Sequence, residues 1–323
     1  MKYRLFASIV TLSLTTAASA QDSNLFNHVD FGVTLGTTGV GIDVAVPATD
    51  WARLRTGFSY VPRVEVPMTF GVQVGDDPAT SQSKFDKLSG YLSSITGKEI
   101  KSEVETIGRP NFWNWNFMVD VFPLKNNRHW HVTAGFFLGP KNVAEAYNKT
   151  ESMASLMSVN IYNNIYDKLH GLSLRELLSV KLFDIPGLEG FGTDPDLLIE
   201  LQARLDKNGR MGIYMGDFAD GSKYIMDPDE NSMVKATMTV NAFKPYFGIG
   251  YDGRLVKSED RLKIGFDAGV MLWGGTPHLT THDGTDLTHD VENVPGKVGK
   301  YVDVIEKLKV FPLLNLRISY RLF

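Results

Sequence analysis

Residues 261–272 read Arg-Leu-Lys-Ile-Gly-Phe-Asp-Ala-Gly-Val-Met-Leu, and their alternation decides the fold. Leu262, Ile264, Phe266, Ala268, Val270 and Leu272 fall on one face of an extended chain, opposite Lys263, Gly265, Asp267, Gly269 and Met271. Period-two alternation of this length marks a β-strand between two different environments. A face turned to bulk water would use Lys, Glu and Thr and avoid Gly, which weakens a strand. Here Gly alternates with charge, as the narrow interior of a small barrel requires. The apolar face is then the outer one, and it needs lipid.

The same alternation runs through 29–36, 40–46, 53–60, 113–121, 129–138, 246–254 and 314–322. With 262–272 that makes eight strands, near the roughly 9 to 11 residues that a tilted strand needs to cross a bilayer. The expected fold is all-β, a transmembrane antiparallel up-and-down barrel. A soluble ligand-carrying barrel would alternate equally well, with its apolar face inward; the Gly-rich, charged second face argues against it. The mean hydropathy of −0.11 is no objection, because alternating faces average the apolar signal away.

The connections 47–50, 124–128 and 256–260 are short and polar, whereas 62–110, 140–243 and 274–309 are long, with one tight turn at Thr37-Thr38-Gly39. Short turns on one side and long loops on the other is the outer-membrane arrangement. With both termini periplasmic, every long connection falls outside. Residues 1–20 read as a secretory signal peptide: Lys2 and Arg4, an apolar run from Leu5 to Leu14, then Ala18-Ser19-Ala20. The domain expected is 21–323, barrel plus loops. Cysteine is absent, so neither a lipoprotein anchor nor a disulfide is available. A net charge of −4 argues against a nucleic-acid partner.

Five stretches carry a resemblance: "GVTLGTTGVGIDVAV" (32–46), "VDVFPLKNNRHWHVTAGFFLG" (119–139), "FKPYFGIGYDGRL" (243–255), "RLKIGFDAGVMLWGGTP" (261–277) and "FPLLNLRISYRLF" (311–323). Together they resemble small Gram-negative outer-membrane barrels of the OmpA and OmpX type, a family largely uncharacterised in activity. The resemblance spans the strands and short turns and leaves the long loops uncovered. It implies outer-membrane lipid and lipopolysaccharide around the barrel, and the barrel assembly machinery as a partner during insertion. Such barrels end in an aromatic residue in phase with the last strand. Tyr320 and Phe323 are the assembly-signal candidates, with Phe323 one residue out of phase.

The long loops are expected to be ordered. Phe85, Leu88, Leu92 and Ile95, closed by Gly97, have helical spacing, as do Ile161, Ile165 and Leu169, and Ser173 with Glu176 forms a capping box. Ile199, Leu201, Ala203 and Leu205 alternate with polar residues before a Lys207-Asn208-Gly209 turn and Met211–Met215. This reads as a β-hairpin over 197–218, either an extension of the wall or, as the alternative, two further strands of a ten-stranded barrel.

The lumen is expected to hold Asp30, Asp43, Asp120, Asp252 and Asp267 with Arg53, Arg55, Arg254, Lys263, Arg317 and Arg321, since buried charges must be paired. Neutralisation would fill the interior; the alternative is a porin-like narrow solute path. Tyr60, Trp113, Trp115, Phe122 and Trp130 sit near strand ends as an aromatic girdle. His129 and His131 read as lumen filler. His278, His282 and His289, interleaved with Asp283, Asp286 and Asp290, are candidates for Zn²⁺ or Cu²⁺, although their spacing matches no closed site. No Ser–His–acid set stands near the outer rim, so neither an enzyme nor a cofactor is expected. The expected function is a binding or structural surface on the loops, for a protein or glycan partner, because long loops in a compact protein are usually functional.

Overall fold

The computed structural model describes residues 27–75, 78–97, 99–179, 195–256 and 259–322. The expected signal peptide, residues 1–20, and the assembly-signal candidate Phe323 lie outside the described residues. In chain order, the strands are β1 (Asp30–Gly36), β2 (Gly39–Thr49), β3 (Ala52–Tyr60), β4 (Val66–Val74), β5 (Glu103–Pro110), β6 (Trp113–Val121), β7 (Trp130–Leu138) and β8 (Asn142–Asn148). They continue with β9 (Met211–Phe218), β10 (Lys223–Met226), β11 (Lys235–Thr239), β12 (Phe243–Val256), β13 (Glu259–Met271), β14 (His278–Thr281), β15 (Val291–Glu292) and β16 (Phe311–Arg321). The helices are α1 (Pro78–Thr96), α2 (Met153–Leu169), α3 (Leu174–Leu177), α4 (Pro195–Asn208) and α5 (Gly296–Lys307).

Eight strands close into an antiparallel barrel in the order β1-β16-β13-β12-β7-β6-β3-β2. Closure is completed by β1 and β16, from Asp30↔Arg321 to Gly36↔Asn315. All eight are the strands expected, so the ten-stranded alternative is set aside. Phe31, Ile42, Phe117, Val132, Ile249, Leu316 and Ile318 stand exposed on the outer wall. A closed barrel leaves no strand edge unsatisfied, and an apolar wall matches hydrocarbon; together they make a transmembrane barrel. Tyr60, Trp113, Trp115 and Trp130 project outward from strand ends as girdle residues do. Phe122 does not. It follows Val121 by one residue, so its ring turns inward, 5.3 Å from the Arg53 guanidinium and 5.5 Å from the His131 ring.

The long connections build a second structure beyond the barrel end opposite the termini. Strands from all three interleave in one antiparallel sheet, β10-β9-β4-β5-β8-β11-β14, with β15 paired to β9. Around it pack α1 through Phe85 and α2 through Leu156, Val159, Tyr162, Ile165 and Leu169. Asn163 fastens α2 to β9 by exchanging two hydrogen bonds with the Met211 backbone, 2.8 and 3.0 Å. The helices expected near 85–95 and 161–169 are present, as is the Ser173–Glu176 capping box.

The hairpin expected over 197–218 is not formed: residues 195–208 are helix. Leu198 and Leu205 are buried on one side of α4, two turns apart. Pro195 starts it, and Gly209, in the left-handed region, ends it by donating to the Leu205 carbonyl; Pro at the start and Gly past the end are helix punctuation. The true hairpin joins β9 to β10.

The cap sheet curls until its edge strands meet. Tyr224 of β10 places its hydroxyl 2.8 Å from Thr281 Oγ1 of β14 and donates to Asp283 at 2.8 Å. Side chains thus seal a seam that backbone pairing leaves open. Burial works to raise the Asp283 carboxyl, but the hydroxyls of Thr281 and Tyr224 and the Thr285 N–H hold it below the usual range. A depressed carboxyl stabilises at neutral pH and loses that contribution as pH falls through its lowered value. Tyr224→Phe is expected to cost about 1–3 kcal/mol, the penalty for a lost buried hydrogen bond. Amide exchange should then rise in β10 and β14 and stay unchanged in the barrel. Equal protection in both proteins would show that the seam does not depend on this hydroxyl.

Candidate functional site

Two places concentrate chemistry, the lumen and the cap. In the lumen, Asp120 of β6 lies between two arginines of β3. Its Oδ2 accepts from Arg53 Nε at 2.8 Å, and its Oδ1 from Arg55 Nη2 at 3.1 Å and Thr133 Oγ1 at 2.7 Å. Arg55 then crosses the barrel. It donates to both oxygens of Asp267, at 2.6 and 2.9 Å, and β13 stands four strands from β3 in either direction round the wall. Arg53 reaches Asp252 at 2.6 Å, and His131 meets Asp267 at 3.2 Å. Arg317 holds Asp43 at 2.5 and 2.9 Å. Lys263 and Arg321 share Asp30 nearer the mouth, at 3.3 and 3.7 Å.

The lumen glycines make these bridges fit. Arg317 on β16 reaches Asp43 on β2 over β1, at Gly32. A Cβ there would lie 2.7 Å from Asp43 Oδ1 and 2.8 Å from Arg317 Nε. Gly250 does the same under the His131–Asp267 contact.

The expected lumen set is therefore present, with one correction. Arg254 leaves it and pairs with Asp260 at 2.8 Å, both exposed at the facing ends of β12 and β13, because strand alternation ceases to place side chains in the lumen where the hairpin runs past the barrel mouth. The sequence reading missed Lys244, fully buried at the outer rim. Its Nζ lies 3.2 Å from Asn114 Oδ1 and 5.8 Å from the centre of the Phe112 ring.

Above the ion pairs, Met118, Phe137, Tyr246, Met271 and Leu313 form an apolar stopper with Phe112, Val240 and Trp273 from the rim. The Trp273 indole donates to the Leu308 carbonyl at 2.9 Å, tying the third connection over it. Between lattice and stopper the barrel retains a cavity of about 30 Å³, on the order of one or two waters. A larger recess of about 290 Å³, lined by Arg53, Phe122, His129 and Lys263 among others, ends at the lattice from the side of the termini.

The cap holds an apolar cavity of about 310 Å³ between the curled sheet and α5. Its floor is a cross-strand row of small side chains. Gly108 pairs with Ala146, Ala146 with Ala236, and Ala236 with Thr281. Met68, Phe70 and Met238 wall it, and Val298, Tyr301 and Ile305 of α5 roof it. Periodicity at 298, 301, 302 and 305 could have revealed α5. The row of small residues has no signature in a single chain, because it exists only once three connections pair.

The histidines divide. His278 and His289 converge on Asp286, with one ligand atom from each of the three within 4.8 Å of the others. His282 turns away, with Nε2 2.8 Å from the Asp227 carbonyl and Nδ1 accepting from Lys235 N–H at 3.4 Å. His129 bonds the Asp252 carbonyl at the barrel mouth.

No family model and no curated protein matches this chain. Solved structures that resemble it include CarO2 of Acinetobacter baumannii, with 13% identity, a TM-score of 0.36, and coverage of 92% of this chain and 99% of that one. CarO of the same organism gives 11%, 0.34, 91% and 97%. A major outer membrane protein from Thermus thermophilus gives 13%, 0.26, 91% and 98%. Likenesses this distant carry no argument, so fold and site rest on the strand pairing and contacts above.

Removing one partner of a buried ion pair leaves the other uncompensated, at about 3–5 kcal/mol. Asp120→Ala, which strips an acceptor from Arg53, Arg55 and Thr133, should lower the urea midpoint of the detergent-folded barrel accordingly. An unchanged midpoint would mean that the lattice is solvated and does not brace the barrel.

Proposed function

We propose that the chain is an outer-membrane anchor carrying an extracellular binding cap, and that the cap's cavity takes a small apolar molecule. One observation carries the proposal: three connections far apart in sequence fold into one sheet-and-helix unit enclosing an apolar cavity, while the barrel beneath is filled. Passive closure of a barrel needs only short loops. The export signal and the apolar barrel wall support an outer-membrane location, with short turns toward the periplasm.

Size and lining favour an apolar occupant over a glycan. Pockets for small ligands run from roughly 300 Å³ upward, with apolar walls and a few polar groups. Here Arg109, Glu145 and Lys235 stand at the edge and the interior is almost wholly apolar. A sugar would leave its hydroxyls unpaired on such walls, at a cost of about 1–3 kcal/mol each. At about 24 cal/mol per Å³, an empty closed cavity of 310 Å³ would cost on the order of 7 kcal/mol. The open mouth reduces that figure, and an occupant recovers part of it. The porin-like alternative is disfavoured by Arg55–Asp267 across the lumen and by the apolar stopper.

p-Xylene is a suitable probe, since binding to the folded state alone raises the unfolding temperature. The thermal midpoint of cap unfolding should rise with p-xylene in the wild type. It should not rise in an Ala146→Leu/Ala236→Leu variant whose added side chains fill the floor. Equal shifts in both, or none in either, would count against a ligand cavity.

A further inference from the structure

We propose that the segment 278–289 of the cap binds a divalent first-row transition ion in an open site formed by His278, Asp286 and His289. The proposal is independent of the apolar cavity. His278 Nδ1 lies 2.6 Å from Asp286 Oδ2, and His289 Nδ1 lies 3.0 Å from the same oxygen. The two imidazoles stand nearly parallel, 4.4 Å apart. Two ring nitrogens and one carboxylate oxygen therefore face a common point at the surface. With metal–ligand distances of roughly 2.0–2.2 Å, small outward turns of the two exposed rings admit an ion.

The carboxylate is built for this role by its neighbours. Asp286 Oδ1 is fully engaged, by Thr288 Oγ1 at 2.6 Å, Thr288 N–H at 3.0 Å and Leu279 N–H at 3.2 Å. That leaves Oδ2 as the oxygen turned to the histidines. Thr288 is itself buried, and its hydroxyl lies 2.8 Å from the Pro277 carbonyl. The backbone is equally fixed. Thr280 bridges Asp286, Leu287 N–H donates to the Leu279 carbonyl, and Gly284, at φ +95, turns the chain between them. Outer contacts that hold a ligand's free atom are what distinguish a metal centre from a chance cluster.

The donor set selects the class of ion. Two imidazoles with one carboxylate suit Zn²⁺, Ni²⁺ or Cu²⁺, whereas Ca²⁺ and Mg²⁺ prefer oxygen alone. Three protein ligands leave at least one position for water, so the ion is exchangeable with the medium.

The test uses the full chain, purified in detergent without a polyhistidine tag, stripped of metal and titrated with Zn²⁺ in a calorimeter. One Zn²⁺ per chain is expected. A His278→Ala/His289→Ala variant should lose it, and His282→Ala should bind as the wild type does. Thr288→Val keeps all three ligands but removes the hydroxyl donor from Asp286 Oδ1, leaving only the two backbone N–H donors, and should weaken binding by up to roughly 10- to 100-fold. Heat-modifiable migration on gels confirms that each variant is folded. Absence of stoichiometric Zn²⁺ in the wild type, or undiminished binding in the double variant, would overturn the site.

Discussion

Arg55 and Asp267 face each other across the full width of the barrel, and most of the molecule is arranged around that contact. Eight strands enclose an interior only wide enough for side chains. Once a guanidinium and a carboxylate meet at its centre, that interior is structural. The consequences reach the backbone. Asp120 and Asp252 are needed so that Arg53 and Arg55 are not left uncompensated in a water-poor core. Gly32 and Gly250 are needed because the Arg317–Asp43 and His131–Asp267 contacts pass directly over their strands. The apolar stopper of Phe137, Tyr246 and Met271 then separates this charged layer from the cap.

A filled barrel moves the chemistry to the long connections. Each alone could not bury its apolar residues; interleaved, they share one core from Val72 to Val302. The sheet closes by different physics on its two sides. Backbone pairing carries it from β10 to β14, and a tyrosine hydroxyl joins those edges. Its small-residue floor then leaves a space that larger side chains would have filled. The histidine–aspartate cluster starts on β14, whose Leu279 also lines that space.

The barrel was legible in the sequence because its determinants are local. Alternation along 261–272 places Lys263 and Asp267 inside and Ile264 and Val270 outside, without knowledge of any partner strand. Errors arose where local pattern and environment part. Phe122 lies near a strand end but on the inward parity, and Arg254 keeps strand parity after the hairpin has left the lumen. Residues 199–205 alternate like a strand and also carry a helical stripe, Leu198 to Leu205; packing in the cap selected the helix. Strand β5 pairs with β8 across the whole of β6 and β7, a separation that no short window reports. Likewise Asp286 joins His278 and His289 while His282, in the same run, does not. That division depends on Asp227 and Lys235, some fifty residues away.

Planar-bilayer recording of the purified full-length protein at neutral pH tests the central claim most directly. With the ion-pair lattice and stopper in place, insertion should produce a quiet membrane without discrete conductance steps. Reproducible steps of uniform size from the wild-type protein would contradict a filled barrel and return the molecule to the channels.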